Sequence, residues 1–143
     1  MNIIAKKISD ALDWQACVTI RKKVFVEQQG IPDSLEWDGL DGSSSHYLLT
    51  IDNHPVGTAR VRLLGDVAKV ERVAILSDYQ YQGYGRIIME TMLTDIRKDY
   101  SLRAVKLSSQ VQVIPFYEKL GFIVCSDPYF DAGIVHQDMQ LII

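Results

Sequence analysis

The segment from Val67 to Ile96 limits the fold more than any other. An extended run, Val67 to Leu76, leads to Asp78-Tyr79-Gln80-Tyr81-Gln82-Gly83-Tyr84-Gly85-Arg86. Ile88, Met89, Met92, Leu93 and Ile96 then recur at helical spacing, which predicts an amphipathic helix over 85–98. Two glycines one residue apart therefore stand where a strand ends and a helix begins. Lacking side chains, they let the backbone approach a diphosphate, and the free N–H groups and positive dipole end of the helix supply hydrogen bonds to the anion. The glycine pair alone is a weak signal, because a tight turn with positive φ uses the same residues. Position 88 is Ile88, not a third glycine, and the preceding runs read as antiparallel, so a dinucleotide-binding unit is disfavoured. No Gly-Lys-Ser/Thr follows, which disfavours a P-loop.

The rest of the chain supplies strands and short helices around this junction. Ile3 to Lys7 reads as a strand, and Ser9 or Asp10 offers an N-cap for a helix with Leu12, Ala16, Cys17, Ile20, Val24 and Phe25 on one face, stopped by Gly30 and Pro32. Ser34 to Ser45 carries Glu36, Asp38 and Asp41 among glycines and serines, which predicts an acidic surface segment. Tyr47 to Ile51 and Val56 to Leu64 flank the turn Asp52-Asn53-His54-Pro55, and with Val67 to Leu76 they predict an antiparallel meander. Ala104 to Ser109, Phe122 to Ser126 and Val135 to Leu141 read as strands, with a short helix over Val113 to Leu120 before Gly121.

Composition narrows the function. A chain of 143 residues suits one domain over 1–143 with one site. Its formal net charge of -3 lacks the cationic surplus that binding a phosphate backbone uses, so no nucleic-acid partner is expected. Cys17 and Cys125 lie far apart with no metal-ligand spacing, so both are expected to be buried free thiols, with no metal site. No signal-peptide pattern and no apolar run of membrane-spanning length is present, so the expected location is cytoplasmic, away from a membrane.

Gln80, Gly83 and Gly85 match the pattern Gln or Arg, two residues, Gly, one residue, Gly or Ala, and so closely resemble the acyl-CoA-binding motif of the GNAT superfamily of N-acyltransferases. Val70-Glu71-Arg72-Val73-Ala74-Ile75 resembles that superfamily's fourth strand, and Val113 to Phe122, with Tyr117-Glu118-Lys119-Leu120-Gly121-Phe122, resembles its later helix and strand. Val24 to Gln29, the acidic stretch before His46, and Gly133-Ile134-Val135-His136 with Met139 resemble the small bacterial ElaA-like branch. The resemblance implies an α+β, three-layer fold: a mixed, mostly antiparallel sheet with a splayed V-shaped cleft, flanked by helices. It implies acetyl-CoA as co-substrate, held by Val73, Ala74, Ile75, Gln80, Tyr81, Gln82, Gly83, Tyr84, Gly85, Arg86 and Gln112. Gln110 or Gln112 stands where many members carry asparagine, and Pro115 where alanine is usual.

The implied reaction moves an acetyl group to a primary amine of a small molecule or peptide. Tyr117 would be the general acid, or else an aromatic packed on the core. The Ile75 N–H would polarise the thioester carbonyl. Strand alternation places Glu71, Val73 and Ile75 on one face, which makes Glu71 a candidate base, although a carboxylate paired with Arg60, Arg62 or Arg72 gives the same pattern. His46 and His136 are rival bases or acceptor-pocket residues. Glu36, with Asp38 and Asp41, would draw a cationic amine electrostatically, or form a solvated loop. A longer acyl donor or a CoA-binding sensor without turnover fits the same residues, and a homodimer is compatible with them.

Overall fold

The computed structural model describes residues 1–143. Eight strands form one sheet: β1 (Ile3–Lys7), β2 (Ser45–Ile51), β3 (His54–Leu64), β4 (Val67–Ile75), β5 (Ala104–Gln110), β6 (Ile123–Val124), β7 (Tyr129–Asp131) and β8 (Ile134–Ile142). Their order is β1-β2-β3-β4-β5-β8-β6, with β7 also on β8, and every pair is antiparallel except β4 with β5. The helices are α1 (Ala11–Arg21), α2 (Asp33–Glu36), α3 (Tyr84–Arg97) and α4 (Ile114–Glu118).

Side-chain alternation assigns the two faces of the sheet. Leu48 and Ala74 join Cys17, Ile20 and Val24 under α1, whereas Tyr47, Leu49 and Val70 pack with Ile88, Met89, Met92 and Leu93 of α3. Covered on both faces, β3 is buried from Val56 to Val61, an apolar-rich run interrupted by Thr58 and Arg60.

The element that positions the cleft is the parallel pair. β4 and β5 pair only from Val67–Ala104 to Val70–Leu107, and beyond this point the strands separate. The β3–β4 register slips there as well: from Arg60 to Thr58 β3 advances two residues while β4 advances three, from Glu71 to Ala74. The extra residue is a bulge, with Arg72 at φ 57.

Several expectations change. Asp10 caps α1, accepting from the Asp13 N–H at 2.7 Å, but the helix widens to π geometry over Lys22–Gln28, and Leu12 is exposed. The acidic segment lies at the surface as expected, but it contains α2 and buries Glu36. Pro115 occupies the first turn of α4, where its missing N–H costs nothing, and the helix is shorter than its pattern. β6 spans two residues, which leaves Cys125 exposed where a buried thiol was expected. β7 lacked an apolar run to announce it; it exists because β8 offers an edge.

Candidate active site

The divergence of β4 and β5 opens a cleft of about 660 Å³, bounded by Val73 and Ile75 on one lip and Ser108 and Gln110 on the other. The loop before α3, the helix α4 and the π segment with Ile31 also line it. Val73, Ala74, Ile75, Gln80, Tyr81, Gly83, Gly85, Arg86 and Gln112 all border this space. Gln82 and Tyr84 do not: Gln82 Nε2 donates to the Asp78 carbonyl at 3.0 Å, and the Tyr84 side chain is buried in the core. For these two, only the backbone can serve an anion.

The loop geometry follows from its residues. Tyr81 and Gly83 have φ of 62 and 89, so the chain coils tightly into α3 and presents consecutive N–H groups at its N-terminus. A Cβ on Gly83 would meet nothing within 4 Å, whereas one on Gly85 would come within 3.2 Å of Phe116. Gly83 is thus required by its backbone angle, and Gly85 by close packing against α4. Gln80 Nε2 donates to the Ile75 carbonyl at 2.9 Å, which ties the loop to the end of β4.

Ladder geometry also aims the strand's N–H groups. The Leu76 N–H donates to Val56 of β3 at 2.9 Å. Antiparallel alternation therefore turns the Ile75 N–H the other way, to the side from which β5 has departed.

Tyr117 lines the cleft from α4 and is 7% exposed, and its hydroxyl has no hydrogen-bond partner in the protein. Burial pushes its phenol well above the ordinary range, so the group stays protonated at neutral pH. Its ring packs edge-on against Phe116 and Phe122.

Glu71 borders the cleft but is not free. Its Oε1 accepts from Arg60 Nη2 at 2.9 Å and Arg62 Nε at 2.5 Å, and its Oε2 accepts from Arg62 Nη2 at 3.1 Å. Burial raises its carboxyl, but hydrogen bonding from Arg62 and the charge of Arg60 outweigh this and leave it below the ordinary carboxylate value. The expectation that Glu71, Val73 and Ile75 share one face also fails. The bulge at Arg72 reverses the alternation, so Glu71 lies on the Ala74 face while Val73 and Ile75 pack against the α3 core.

The acidic segment belongs to the same ion network. Glu36 accepts from Arg21 Nε at 2.8 Å, Asp41 from Arg21 at 2.7 Å and Arg60 at 3.0 Å, and Asp38 from both Arg60 amino groups at 2.9 and 2.8 Å. The Arg60 hydrogen bonds hold the Asp38 carboxyl far below its usual range. Glu36, Asp38, Asp41 and Glu71 are thus matched by Arg21, Arg60, Arg62 and Arg72, which removes the net negative field expected to steer an amine. Glu36 borders the cleft as a buried, paired carboxylate.

The two histidines part company. His46 lies outside the cleft, packed on Trp14 at 4.6 Å with Nε2 3.0 Å from the Asp41 carbonyl, and burial lowers its pKa. It is a core histidine, not an acceptor-pocket residue. His136 borders the cleft, with Nδ1 2.7 Å from the Ile134 carbonyl. A carbonyl only accepts, so in the neutral ring the tautomer is the one with the proton on Nδ1 and the lone pair on Nε2. Sequence reasoning had not singled out Ser108, which hydrogen-bonds Tyr129, or the Gln29–Gln110 contact of 2.9 Å between the π segment and β5. Their residue types are ordinary, and only strand register brings them to the cleft.

The acetyltransferase (GNAT) domain model matches residues 9–143. The chain is 43% identical over 139 residues, 95% of its length and 92% of the relative's, to a Bacillus subtilis protein provisionally named an acetyltransferase. The chain belongs to the GNAT acetyltransferase family. Escherichia coli ElaA is 27% identical over 128 residues, 87% of this chain and 84% of ElaA. Its crystal structure superposes with a TM-score of 0.85 over 97% of this chain and 99% of that one, at 22% identity. An acyl-CoA N-acyltransferase from Pseudomonas aeruginosa gives a TM-score of 0.84 over 98% and 99%, at 24% identity. This GNAT protein is therefore an acyltransferase enzyme with the GNAT fold; the family uses acetyl-CoA or a related acyl-CoA and acts on amine acceptors. No helix is long and apolar enough to cross a membrane.

Proposed function

We propose that the protein transfers the acetyl group of acetyl-CoA to a primary amine by direct attack within a ternary complex. The observation that carries this reading is Tyr117, a buried residue whose hydroxyl has no partner in the protein, on the wall of a cleft that begins where β4 and β5 part. Acetyl-CoA, when bound, supplies the thioester carbonyl that the amine attacks.

The chain's own groups divide the work. The loop from Gln80 to Arg86 holds the diphosphate on backbone N–H groups at the start of α3. The Ile75 N–H polarises the carbonyl as charge develops on its oxygen. Tyr117, kept protonated by burial, gives its proton to the departing thiolate. His136 Nε2 accepts the proton lost by the amine, directly or through water, a role for which Glu71 is poorly suited while two arginines hold it.

Incubation with acetyl-CoA and a panel of primary amines and peptides, following free thiol, tests the reading. Thiol release that depends on one amine class, with the acetylated amine found by mass spectrometry, is the expected result. Tight acetyl-CoA binding with no amine-dependent release would favour a CoA sensor, and release only from longer acyl-CoAs would move the donor.

A further inference from the structure

Arg72, Tyr81 and Ala132 are the non-glycine cleft residues with positive φ, and of these Arg72 alone lies inside a strand. A long side chain in the left-handed region inside a strand is sterically unfavourable and persists only where its surroundings dictate it. Here the surroundings are visible. Arg72 Nη2 donates to the carbonyls of Leu35 and Glu36 at 3.3 and 3.1 Å and to Asp38 Oδ2 at 3.2 Å. Its Nε lies 3.2 Å from Glu36 Oε2, and that carboxylate is itself buried and gripped by Arg21. One guanidinium thus reaches three residues of the segment from 35 to 38, and the fork geometry of arginine suits it to this task.

What this grip holds is the bulge. Arg72 lies two residues beyond Val70, the last residue of β4 paired with β5, and the bulge is what reverses the alternation for Val73, Ala74 and Ile75. We infer that Arg72 is a positioning residue: clamped to Leu35, Glu36 and Asp38, it fixes the strand bulge that aims the Val73–Ile75 backbone into the cleft. The inference rests on the acyl-transfer reading given above. It makes the segment before β2, absent from the donor loop, a determinant of how the acyl group is received.

Arg72→Gly tests this directly, because glycine adopts φ 57 without strain but removes the grip. Arg72→Lys keeps the charge and a single point of attachment. Amide hydrogen exchange of residues 73–75 is read without any substrate, and the expected result in Arg72→Gly is exchange at least about tenfold faster there, with the α3 core unchanged. Turnover on an amine should fall about 10²-fold while calorimetric affinity for CoA stays within about twofold, as misplacement of reacting groups predicts. Arg72→Lys should lie between the glycine variant and the unaltered protein in both measurements. Unchanged exchange at 73–75 in Arg72→Gly would overturn the inference, whatever happens to turnover. Lost CoA affinity with unchanged exchange would also overturn it, by making Arg72 a donor-binding group. Because exchange needs no reaction, failure of the acyl-transfer reading would be seen separately, as the absence of amine-dependent thiol release by the unaltered protein.

Discussion

Arg60 faces Glu71 across β3 and β4, and its guanidinium, with no solvent exposure, donates to that carboxylate at 2.9 Å. Asp38 and Asp41 complete its shell, so one buried cation joins the strand lip of the cleft to the segment before β2.

Removing Arg60 should therefore destabilise the fold severely. Arg60→Ala leaves Asp38, Asp41 and Glu71 partly desolvated with one cation fewer, a defect that costs about 3–5 kcal/mol. Thermal or urea denaturation followed by circular dichroism measures it. A loss below about 1 kcal/mol would mean that water replaces the guanidinium without penalty.

Glu71→Gln separates two roles. If the carboxylate is an anchor, stability falls and turnover of the folded protein stays within a few-fold of the unaltered enzyme. If it is the base, turnover collapses and the acidic limb of the pH–rate profile moves. The pairing with Arg60 and Arg62 leads us to expect the first outcome.

Tyr117→Phe keeps the ring contacts with Phe116 and Phe122 and removes only the hydroxyl. Turnover should fall by about 10²-fold or more, with acetyl-CoA affinity nearly unchanged in calorimetry. An unaltered rate would return Tyr117 to packing alone.

Gly83→Val should abolish tight acetyl-CoA binding. The side chain would meet no protein atom within 4 Å, so the effect arises from φ 89, which a β-branched residue resists, and from bulk placed where the diphosphate approaches. Unchanged affinity in calorimetry would remove the cradle assignment.

Acid should weaken the fold in two stages. Burial keeps His46 below its unfolded value of 6.5, so the unfolded chain binds this proton first and stability begins to fall below that pH. Asp38, Asp41 and Glu71 have folded values below the unfolded 3.8 and 4.5, so the stability they give is present above those values and is lost as pH falls through the folded ones. Urea midpoints between pH 8 and 3 read both stages. His46→Gln should flatten the first, and Asp38→Asn should lessen the second.

Much of the architecture was legible in the chain because it is encoded locally. Apolar-rich runs on either side of the turn from Asp52 to Pro55 marked β2 and β3, the extended run from Val67 marked β4, the helical recurrence of Ile88 to Ile96 marked α3, and Gly83 and Gly85 marked the turn between strand and helix. β6 was overextended and β7 missed, because short edge strands are made by a neighbour's free ladder and not by their own residues. The π segment was read as ordinary helix, since both geometries display similar apolar spacing over so few turns.

At the site, the sequence by itself determined the strand–loop–helix junction around Gln80 to Arg86 and the short helix that carries Tyr117, where residue type, spacing and neighbouring element agree within a few tens of positions. Only the tertiary structure decided that His46 leaves the cleft while His136 joins it, that Glu71 is held by Arg60 and Arg62, and that Arg72 turns left-handed. Each of these depends on charges and carbonyls that meet across the sheet from distant positions, such as Arg72 with Glu36. Alternation along a strand carries no record of a bulge whose anchor lies in another element.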